Sequence, residues 1–373
     1  MAKVVRVGVV GAGAVSSSVH LPILRRRIDL FDLQAIADPN IDAAHGLADR
    51  FAITHRFNSP AEMFSSGTID AAVILNSGTH AEVTAQALKA GLDVFCEQPL
   101  AYSTQEMALI EDAMKSSGKQ LMLGYMKTFD QAVYEAQKNI KGRPRTVDVV
   151  VLHPSGDSQL ATTERHVKAF PASAELISTF IASDKAVKEE ALGAAAAEAF
   201  GSEYMDIMMG SIIHELSVLR ALDVHITSID FVDRWPTKSK SESFIISART
   251  DDGVRVTLRW FYLENYPKYQ EEIRWVNEEE GHHIIFYSPY IMRVPTEYIH
   301  TTRQGLDHKE TLFKSYQPNF EIELAAFHRL VETGVQQQDP IAAGYEDLRI
   351  TQLMAKKICE NEGIALGGNL LNL

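Results

Sequence analysis

The sequence predicts an α/β protein with an N-terminal, doubly wound parallel sheet and a C-terminal α+β domain that has a mostly antiparallel, open sheet. Up to residue 124, apolar strand-like runs alternate with amphipathic helix-like runs, a pattern typical of parallel strands joined by right-handed crossovers. From residue 125 onward, runs of alternating apolar and polar residues, clearest in 254–260, indicate antiparallel strands buried on one face. The 373 residues are enough for two sizeable cores.

The first predicted strand ends in two closely spaced glycines, Gly11 and Gly13, directly before a helix-like segment. In the dinucleotide-binding fingerprint G-x-G-x-x-G, the first glycine permits a tight turn and the second lets the backbone approach the pyrophosphate at a helix N-terminus. Ala14 and Val15 would supply amides there, and Ser16 fills the third position. The fingerprint is therefore met in two glycines of three, and an ordinary glycine-rich turn is the alternative interpretation.

The second predicted strand is followed by Asp38, about where the fingerprint expects an acid that accepts hydrogen bonds from the adenosine ribose. A carboxylate repels a 2′-phosphate, and no Arg or Lys follows in 39–44, so the pattern favours NAD over NADP. These features predict a Rossmann NAD-binding domain over 1–124. The alternative for Asp38 is a cap on the helix that begins near Ile41.

The remaining elements of this domain follow from the same alternation. Strands are predicted at 4–10, 33–37, 54–57, 71–75, 93–97 and 120–124, and helices at 41–51, 60–65, 80–90 and 104–117. Ligands of such sheets bind beyond the carboxyl ends of the strands. Besides Gly11 and Asp38, we therefore expect the following strand-end residues to line the cofactor cleft: Asn76, Ser77, Glu97, Gln98 and Tyr125.

The second domain, 125–373, is predicted to bind substrate and to mediate oligomerisation. It begins with a helix at 129–139 and a strand at 147–152, and a helix follows at 205–222. The stretch 154–204 is too long for a simple connection and is predicted to be a helical insertion, either a lid over a substrate pocket or a subunit interface. Further strands are predicted at 228–234, 243–250, 255–262, 269–277 and 282–287, and helices at 320–333 and 345–362. The last helix is a candidate to pack back on the first domain.

Composition excludes several function classes. The net charge is −13 and the largest basic cluster is 25–27, which argues against direct binding of nucleic acid. The sequence has no 18-residue apolar run and no room for a signal peptide before the first strand, and its two cysteines fit a reducing compartment, so we expect a cytoplasmic protein without a membrane partner. No His, Cys, Asp or Glu set has metal-site spacing, and His282 and His283 face opposite ways in a predicted strand. No metal is predicted.

The whole chain resembles the Gfo/Idh/MocA oxidoreductase family. The motifs that carry the resemblance occur in family order: Gly11-Ala12-Gly13 with His20 and Pro22, Asp38, the Asn76-to-His80 segment, Cys96-Glu97-Gln98-Pro99, Gly124-Tyr125-Met126-Lys127, Ile213-His214-Glu215 and Gly344-Tyr345-Glu346-Asp347. The resemblance implies an NAD(P)-binding Rossmann domain, with His80 among its cofactor-binding residues, and a second domain whose open sheet forms a homodimer or homotetramer. It also implies hydride transfer between nicotinamide and a hydroxyl-bearing carbon of a sugar, cyclitol or glycoside.

The proton-handling positions depart from the family pattern. The lysine of the family's Glu-Lys-Pro, which orients the substrate and helps to move its hydroxyl proton, is Gln98 here, and the Asp four residues before His214 is Gly210. Alcohol oxidation needs a base near the hydroxyl. A glutamine cannot titrate but can donate from its amide. We therefore expect Gln98 to orient the oxygen and His214 to act as the acid and base, although a lone histidine in an apolar helix is often a core residue.

Lys127 and Tyr125 are further catalytic candidates. Lys127 would restore the missing cationic proton carrier, or it is a solvated lysine at a strand end. Tyr125 would contact nicotinamide or substrate, or it packs between the domains. Weaker candidates lie in or near the insertion, namely His153, His166 and Lys168.

Together these residues predict an NAD-dependent oxidoreductase that acts on a secondary hydroxyl of a sugar, cyclitol or glycoside. One alternative is a redox-neutral enzyme that retains its NAD and oxidises a glycoside transiently, so that an elimination or epimerisation can follow. Another is a non-catalytic NAD or sugar sensor that binds a partner protein, because replaced site residues are what lost catalysis would leave.

Overall fold

The computed structural model describes residues 3–161, 170–236, 242–289, 291 and 294–373, and the chain forms two compact units. The first unit contains Met1–Tyr125, His166–Ala197 and Phe320–Leu348; the second contains Met126–Arg165, Glu198–Asn319 and Arg349–Leu373. The stretch 154–204 therefore contributes to both units. The weaker candidates His166 and Lys168 lie outside the described residues.

The first unit contains a six-stranded sheet in which every pairing is parallel. Its strands are Val5–Val10 (β1), Phe31–Ala37 (β2), His55–Phe57 (β3), Ala71–Ile74 (β4), Asp93–Glu97 (β5) and Leu121–Gly124 (β6). They lie in the order β3-β2-β1-β4-β5-β6, so the winding direction reverses between β1 and β4. Such a reversal opens a crevice at the carboxyl ends of the strands, where dinucleotides bind in this architecture.

Two of the helices that follow these strands begin at a short polar side chain that caps them. A π-helical turn at Ser16–His20 leads into Leu21–Arg26 (α1), and the later helices are Ile41–Phe51 (α2), Pro60–Ser65 (α3), Ala81–Lys89 (α4) and Thr104–Ser117 (α5). Asn40 accepts a hydrogen bond from the amide of Ala43, and Ser103 accepts one from the amide of Glu106. Each bond satisfies an amide that lacks a partner in the first helical turn.

The second unit contains an eight-stranded sheet in the order β14-β13-β12-β11-β7-β10-β9-β8. Its strands are Thr146–His153 (β7), Ser228–Pro236 (β8), Glu242–Arg249 (β9), Arg255–Tyr262 (β10), Gln270–Val276 (β11), Glu280–Tyr287 (β12), Thr296–Gln304 (β13) and Asp307–Ser315 (β14). Only the β7–β10 pairing is parallel among the described pairings. The predicted fold class, with a doubly wound parallel sheet and a mostly antiparallel one, is confirmed.

The later helices match their predicted bounds closely at 131–139 and 319–333, whereas the helix at 156–161 was not predicted. They are Gln131–Asn139 (α6), Gly156–Ala161 (α7), Ala174–Leu192 (α8), Ala194–Glu203 (α9), Ile213–Ala221 (α10), Asn319–Thr333 (α11) and Pro340–Glu362 (α12). A π-helical segment, Tyr204–Ile212, precedes α10. The start of α12 packs within the first unit, where the Tyr345 hydroxyl donates to Glu111 of α5 at 3.2 Å. Within the described ranges, no helix has both the length and the apolar character that crossing a membrane requires.

Candidate functional site

The glycine turn of the first unit comprises Gly11–Gly13. Its first residue has a backbone conformation that only glycine adopts readily. Gly11 has a φ of 101°, a region that L-residues rarely occupy. A Cβ at Gly11 would also stand 2.7 Å from backbone atoms of Asn76, so the loop after β4 packs tightly against the turn. The buried Ser16 hydroxyl donates to the carbonyl of Gly11 at 2.6 Å. Serine at the third fingerprint position therefore stabilises the turn.

Gly13, in contrast, borders open space. A Cβ built there meets no atom within 4 Å, and both Gly13 and Ala14 are exposed. The helical turn that contains Ala14 and Val15 follows at once, and the first amides of a helix lack intrahelical acceptors. An exposed backbone at a helix start suits a pyrophosphate, because amides and the helix dipole favour negative charge there.

Asp38 lies directly against the glycine turn. Its Oδ2 accepts a hydrogen bond from the amide of Ala12 at 2.7 Å, and its Oδ1 accepts one from the amide of Asn40 at 2.7 Å. Burial raises the pKa of Asp38, against the effect of these two amides. The interpretation of Asp38 as the cap of α2 is wrong, because the Asn40 side chain fills that role. Asp38 is thus held at the end of β2, where the fingerprint places the ribose-binding acid.

The loop after β4 is built around Asn76 and His80. The Asn76 amide nitrogen donates to the carbonyls of Ser77 and Thr79, whereas its buried Oδ1 has no hydrogen-bond partner among the described residues. An orphaned acceptor beside the glycine turn suits a ribose hydroxyl of a bound cofactor. Ser77 is exposed at the same strand end.

His80 is buried between two backbone carbonyls. Its Nε2 lies 2.8 Å from the carbonyl of Asn76, and its Nδ1 lies 2.7 Å from the carbonyl of Pro99. Since a carbonyl only accepts, both contacts are hydrogen bonds only if both ring nitrogens carry protons. Burial lowers the pKa of His80, but the neighbouring Cys96 and the two carbonyls outweigh it and raise the pKa to about 9. The histidine therefore joins two strand-end loops.

The end of β5 presents Glu97 and Gln98. Glu97 Oε1 lies 2.6 Å from Nε2 of the buried His20, and its Oε2 accepts from the amide of Gln98 at 3.2 Å. Gln98 precedes Pro99 through a cis peptide bond. Tyr125, 1% exposed, donates from its hydroxyl to Asp347 within the same unit. This contact gives Tyr125 a structural role within the first unit.

In the second unit, Lys127 belongs to a buried lysine cluster with Glu215, Glu271 and Tyr269. Lys127 is 3% exposed, so its interpretation as a solvated lysine is wrong. Its Nζ donates to Glu271 and to Glu215 Oε1, the latter at 3.2 Å, and the Tyr269 hydroxyl donates to Glu271 at 2.8 Å. Burial lowers the pKa of Lys127, but the charges of Glu271 and Glu215 raise it above its usual range. The ammonium therefore holds its proton tightly.

Glu215 is the second carboxyl group of this cluster. Burial, and next the charge of Glu271, raises the pKa of Glu215 well above 4.5. Both effects favour the protonated form of Glu215. The contact of Glu215 with Lys127 supports a structural role for this residue.

His214 lies in the first turn of α10, the helix that follows the π-helical segment. It is half-buried, and burial, followed by the charges of Lys127 and His153, lowers its pKa well below 6.5. At neutral pH His214 is uncharged and can accept a proton. Gly210 lies in the π-helical segment, where a Cβ would stand 3.0 Å from the carbonyl of Met205. The wider helical turn thus crowds the position at which the family pattern has an aspartate.

A cleft of about 310 Å³ opens in the second unit beside these residues. Ten residues line it: His153, Ser202, Glu203, Asp206, Ile207, Gly210, Ser211, Glu242, Trp260 and Tyr262. Tyr262 lies opposite His153 on paired strands, and Trp260 lies on the same face because side chains alternate along a strand. The rings of Trp260 and Tyr262 are stacked at 6.3 Å, and the ring of His153 lies 5.1 Å from Trp260.

Of the residues that line this cleft, the sequence indicated only His153 and Gly210 as possible site positions. The spacing of Trp260 and Tyr262 on one strand face was the available signal for the aromatic surface. The acidic side chains of the cleft come from separate elements. Glu203 ends α9, Asp206 lies in the π-helical segment and Glu242 begins β9, so no local sequence pattern joins them.

The first unit is thus a dinucleotide-binding Rossmann domain. The second unit has a mixed sheet and a cleft lined by aromatic and acidic side chains. Residues 5–125 match the sequence model of the Gfo/Idh/MocA oxidoreductase family, described as an NAD-binding Rossmann fold. For that segment, the match confirms the predicted resemblance. NAD, the predicted cofactor, is the cofactor of the matched family, and the glycine turn, Asp38 and Asn76 fit it.

Among curated proteins, inositol 2-dehydrogenase 3 of Saccharopolyspora erythraea is 32% identical over 136 residues, which cover 36% of this chain and 40% of the relative. The match therefore spans less than half of that relative's length. The structure of UDP-N-acetylglucosamine 3-dehydrogenase GnnA from Acidithiobacillus ferrooxidans is similar at a TM-score of 0.70 and 15% identity, covering 95% of this chain and 97% of that chain.

The structure of KijD10, a 3-ketoreductase from Actinomadura kijaniata in complex with TDP-benzene and NADP, is similar at a TM-score of 0.65 and 17% identity. The likeness covers 94% of this chain and 96% of that chain. At these identities the two structural likenesses establish the fold of the full chain and nothing finer.

Proposed function

We propose that this protein is an NAD-dependent oxidoreductase that transfers a hydride between the cofactor and a secondary hydroxyl of a neutral cyclitol, sugar or glycoside. Residues 1–124 bind the cofactor and 125–373 supply the substrate site. The observation that carries the proposal is the glycine turn, in which Gly11 fits only as glycine and Gly13 borders open space. A family match over 5–125 supports the same assignment.

Cofactor binding uses the strand ends of the first unit. Amides at Gly13, Ala14 and Val15 bind the pyrophosphate, and Asp38 accepts from the adenosine ribose. The buried Oδ1 of Asn76 accepts a further hydrogen bond, next to Ser77, His80 and Glu97. The carboxylate of Asp38, with no Arg or Lys in 39–44, favours NAD over NADP. When bound, the nicotinamide accepts or returns the hydride.

The cleft of the second unit favours an uncharged substrate. Trp260 and Tyr262 provide an apolar aromatic surface, and Glu203, Asp206 and Glu242 provide acceptors for hydroxyl groups. Glu203 and Asp206 repel a diphosphate, because like charges in a partly desolvated site are unfavourable, whereas Glu242 is paired with Arg234 at 3.8 Å. This argument supports cyclitols and glycosides over nucleotide sugars as the substrate class.

Proton transfer is assigned to His214. The neutral imidazole accepts the hydroxyl proton as the hydride leaves, and gives it back in the reverse direction. The amide of Gln98 orients the substrate oxygen by donating a hydrogen bond. Lys127 keeps its proton in the buried lysine cluster, and its positive charge adds to the effect of burial, which is the main cause of the lowered pKa of His214. Tyr125 supports the fold through Asp347.

The proposal includes a homodimer or homotetramer in the cytoplasm. Exposed apolar side chains on the strands of the second sheet, Phe231 and Leu312, support assembly through that sheet. Both cysteines are buried and free, which fits a reducing compartment. Light scattering of the purified protein measures the oligomeric state directly.

The test of the reaction is a turnover assay with NAD and a panel of cyclitols, free sugars, glycosides and nucleotide sugars, followed by nicotinamide absorbance. We expect net reduction of NAD with at least one neutral polyol and none with the nucleotide sugars. A changed product without net NAD reduction would instead support the redox-neutral alternative. NAD binding without any product would support the sensor.

A further inference from the structure

Three potential metal ligands converge on one face of the second sheet and share no residue with the cleft. They are Glu280 and His282 of β12 and His300 of β13. Glu280 and His282 are two residues apart and therefore share a strand face, and His282 is paired directly with His300 across the strands. Their ligand atoms all lie within 4.8 Å of one another.

The separations of these atoms match the coordination shell of a small divalent metal. Glu280 Oε2 lies 3.4 Å from His282 Nε2 and 3.3 Å from His300 Nε2. Bonds of about 2.0–2.1 Å in a tetrahedral site place neighbouring ligands about 3.3 Å apart. The buried Nε2 of His282, a residue only 1% exposed, has no hydrogen-bond partner among the described residues and lies beside these ligands. A polar atom with that burial normally has a partner.

Surrounding groups hold the ligands in place. His282 Nδ1 lies 2.8 Å from the hydroxyl of Tyr298, an arrangement that leaves Nε2 for the metal. Glu280 Oε1 accepts from the amide of Lys141 at 2.7 Å, which leaves Oε2 for the metal. The His300 side chain is partly exposed, so an ion has a path from solvent and the ring has room to turn.

We infer that Glu280, His282 and His300 form a site for a divalent first-row metal ion, with zinc as the best match. Two imidazoles, one carboxylate and a water complete a tetrahedral zinc shell. The ion would join β12 to β13 near the edge of the second sheet. Sequence spacing could not predict this site, because the third ligand comes from the next strand and lies 20 residues beyond Glu280.

The site can be tested by isothermal titration calorimetry, in which zinc sulfate alone is added to the chelator-treated, full-length protein. We expect saturable binding at one zinc per chain. Glu280→Gln retains the oxygen that accepts from Lys141 but removes the charged ligand, and His300→Ala removes a partly exposed ligand. Each should weaken zinc binding by at least about 100-fold, more than loss of a supporting group does.

His308→Ala is the matched control, because His308 is an exposed histidine on the neighbouring strand β14. It should bind zinc like the wild type. Circular dichroism should show that all variants are folded. Absence of one-to-one binding in the wild type would overturn the inference, and so would folded Glu280→Gln and His300→Ala variants that bind zinc as tightly as His308→Ala does.

Discussion

Replacing Lys127 by methionine should strongly destabilise the second unit. The substitution keeps an apolar side chain of similar length but removes the only cation that contacts Glu271 among the described residues. The ionisable groups of the buried lysine cluster are at most 4% exposed, so without Lys127 the carboxyl group of Glu271 is neither paired with a cation nor hydrated. Loss of one partner of a buried ion pair costs about 3–5 kcal/mol. We expect that decrease in the free energy of unfolding for Lys127→Met.

Glu215→Gln is the matched control within the same cluster. The amide has the shape of the protonated Glu215, so the loss at pH 5 should stay below about 1 kcal/mol. Because the pKa of Glu215 is raised in the folded state, this group adds stability that is complete below pH 4.5 and is lost as the pH rises through the pKa of the folded protein. Glutamine does not titrate, so the variant does not lose stability in this way as the pH rises. Relative to the wild type, Glu215→Gln should therefore become more stable between pH 5 and pH 8.

Urea unfolding followed by tryptophan fluorescence reports on this unit specifically, because all three tryptophans, Trp235, Trp260 and Trp275, lie in the second unit. The reasoning would be refuted if Lys127→Met unfolded within about 1 kcal/mol of the wild type. Equal losses for Lys127→Met and Glu215→Gln at pH 5 would refute it as well, since they would show that both carboxyl groups carry charge.

Other consequences concern catalysis, cofactor choice and pH. His214→Gln should lower kcat on any polyol turned over by the wild type by about 10²–10⁴-fold without changing the calorimetric Kd for NAD; an unchanged kcat would contradict the assigned role. Asp38→Ser should raise the ratio of NADP to NAD affinity by at least about tenfold, because it removes a carboxylate that repels the 2′-phosphate; a constant ratio would remove Asp38 from cofactor selection. Burial lowers the pKa of His153 to about 4, so its contribution to stability is lost as the pH falls from 6.5 through 4. In urea unfolding, His153→Asn should reduce the loss of unfolding free energy between pH 6.5 and pH 4 by about 2–3 kcal/mol. If the variant kept the pH profile of the wild type, His153 would not be the group responsible.

The first unit was predictable because its signals are local. Buried parallel strands are continuous apolar runs, and each is followed by its own helix, so α2, α3 and α5 were predicted with their observed bounds. The glycine turn and Asp38 follow the same logic, since a single strand–turn–helix unit contains the fingerprint. Ser16 shows what the fingerprint alone misses, namely the hydrogen bond to Gly11 that a third glycine could not make.

The second unit was less predictable because its contacts are distant in sequence. Lys127 meets Glu215 and Glu271, which lie 88 and 144 residues further along, so its burial leaves no local trace. Strands β13 and β14 were not predicted. Most side chains of β14 are exposed, so this edge strand lacks the apolar alternation that marks a half-buried strand.

The most direct test of the account is calorimetric NAD binding to the wild type and to Gly13→Val. A Cβ at Gly13 meets nothing within 4 Å, so the variant should fold normally, yet valine would fill the space assigned to the cofactor. Gly156→Val is the control, because Gly156 in the second unit borders equally open space. We predict one NAD bound per wild-type chain, equal binding by Gly156→Val, and a loss of at least about 100-fold for Gly13→Val. Tight NAD binding by a folded Gly13→Val, or none by the wild type, would contradict the assignment of the glycine turn as the cofactor site.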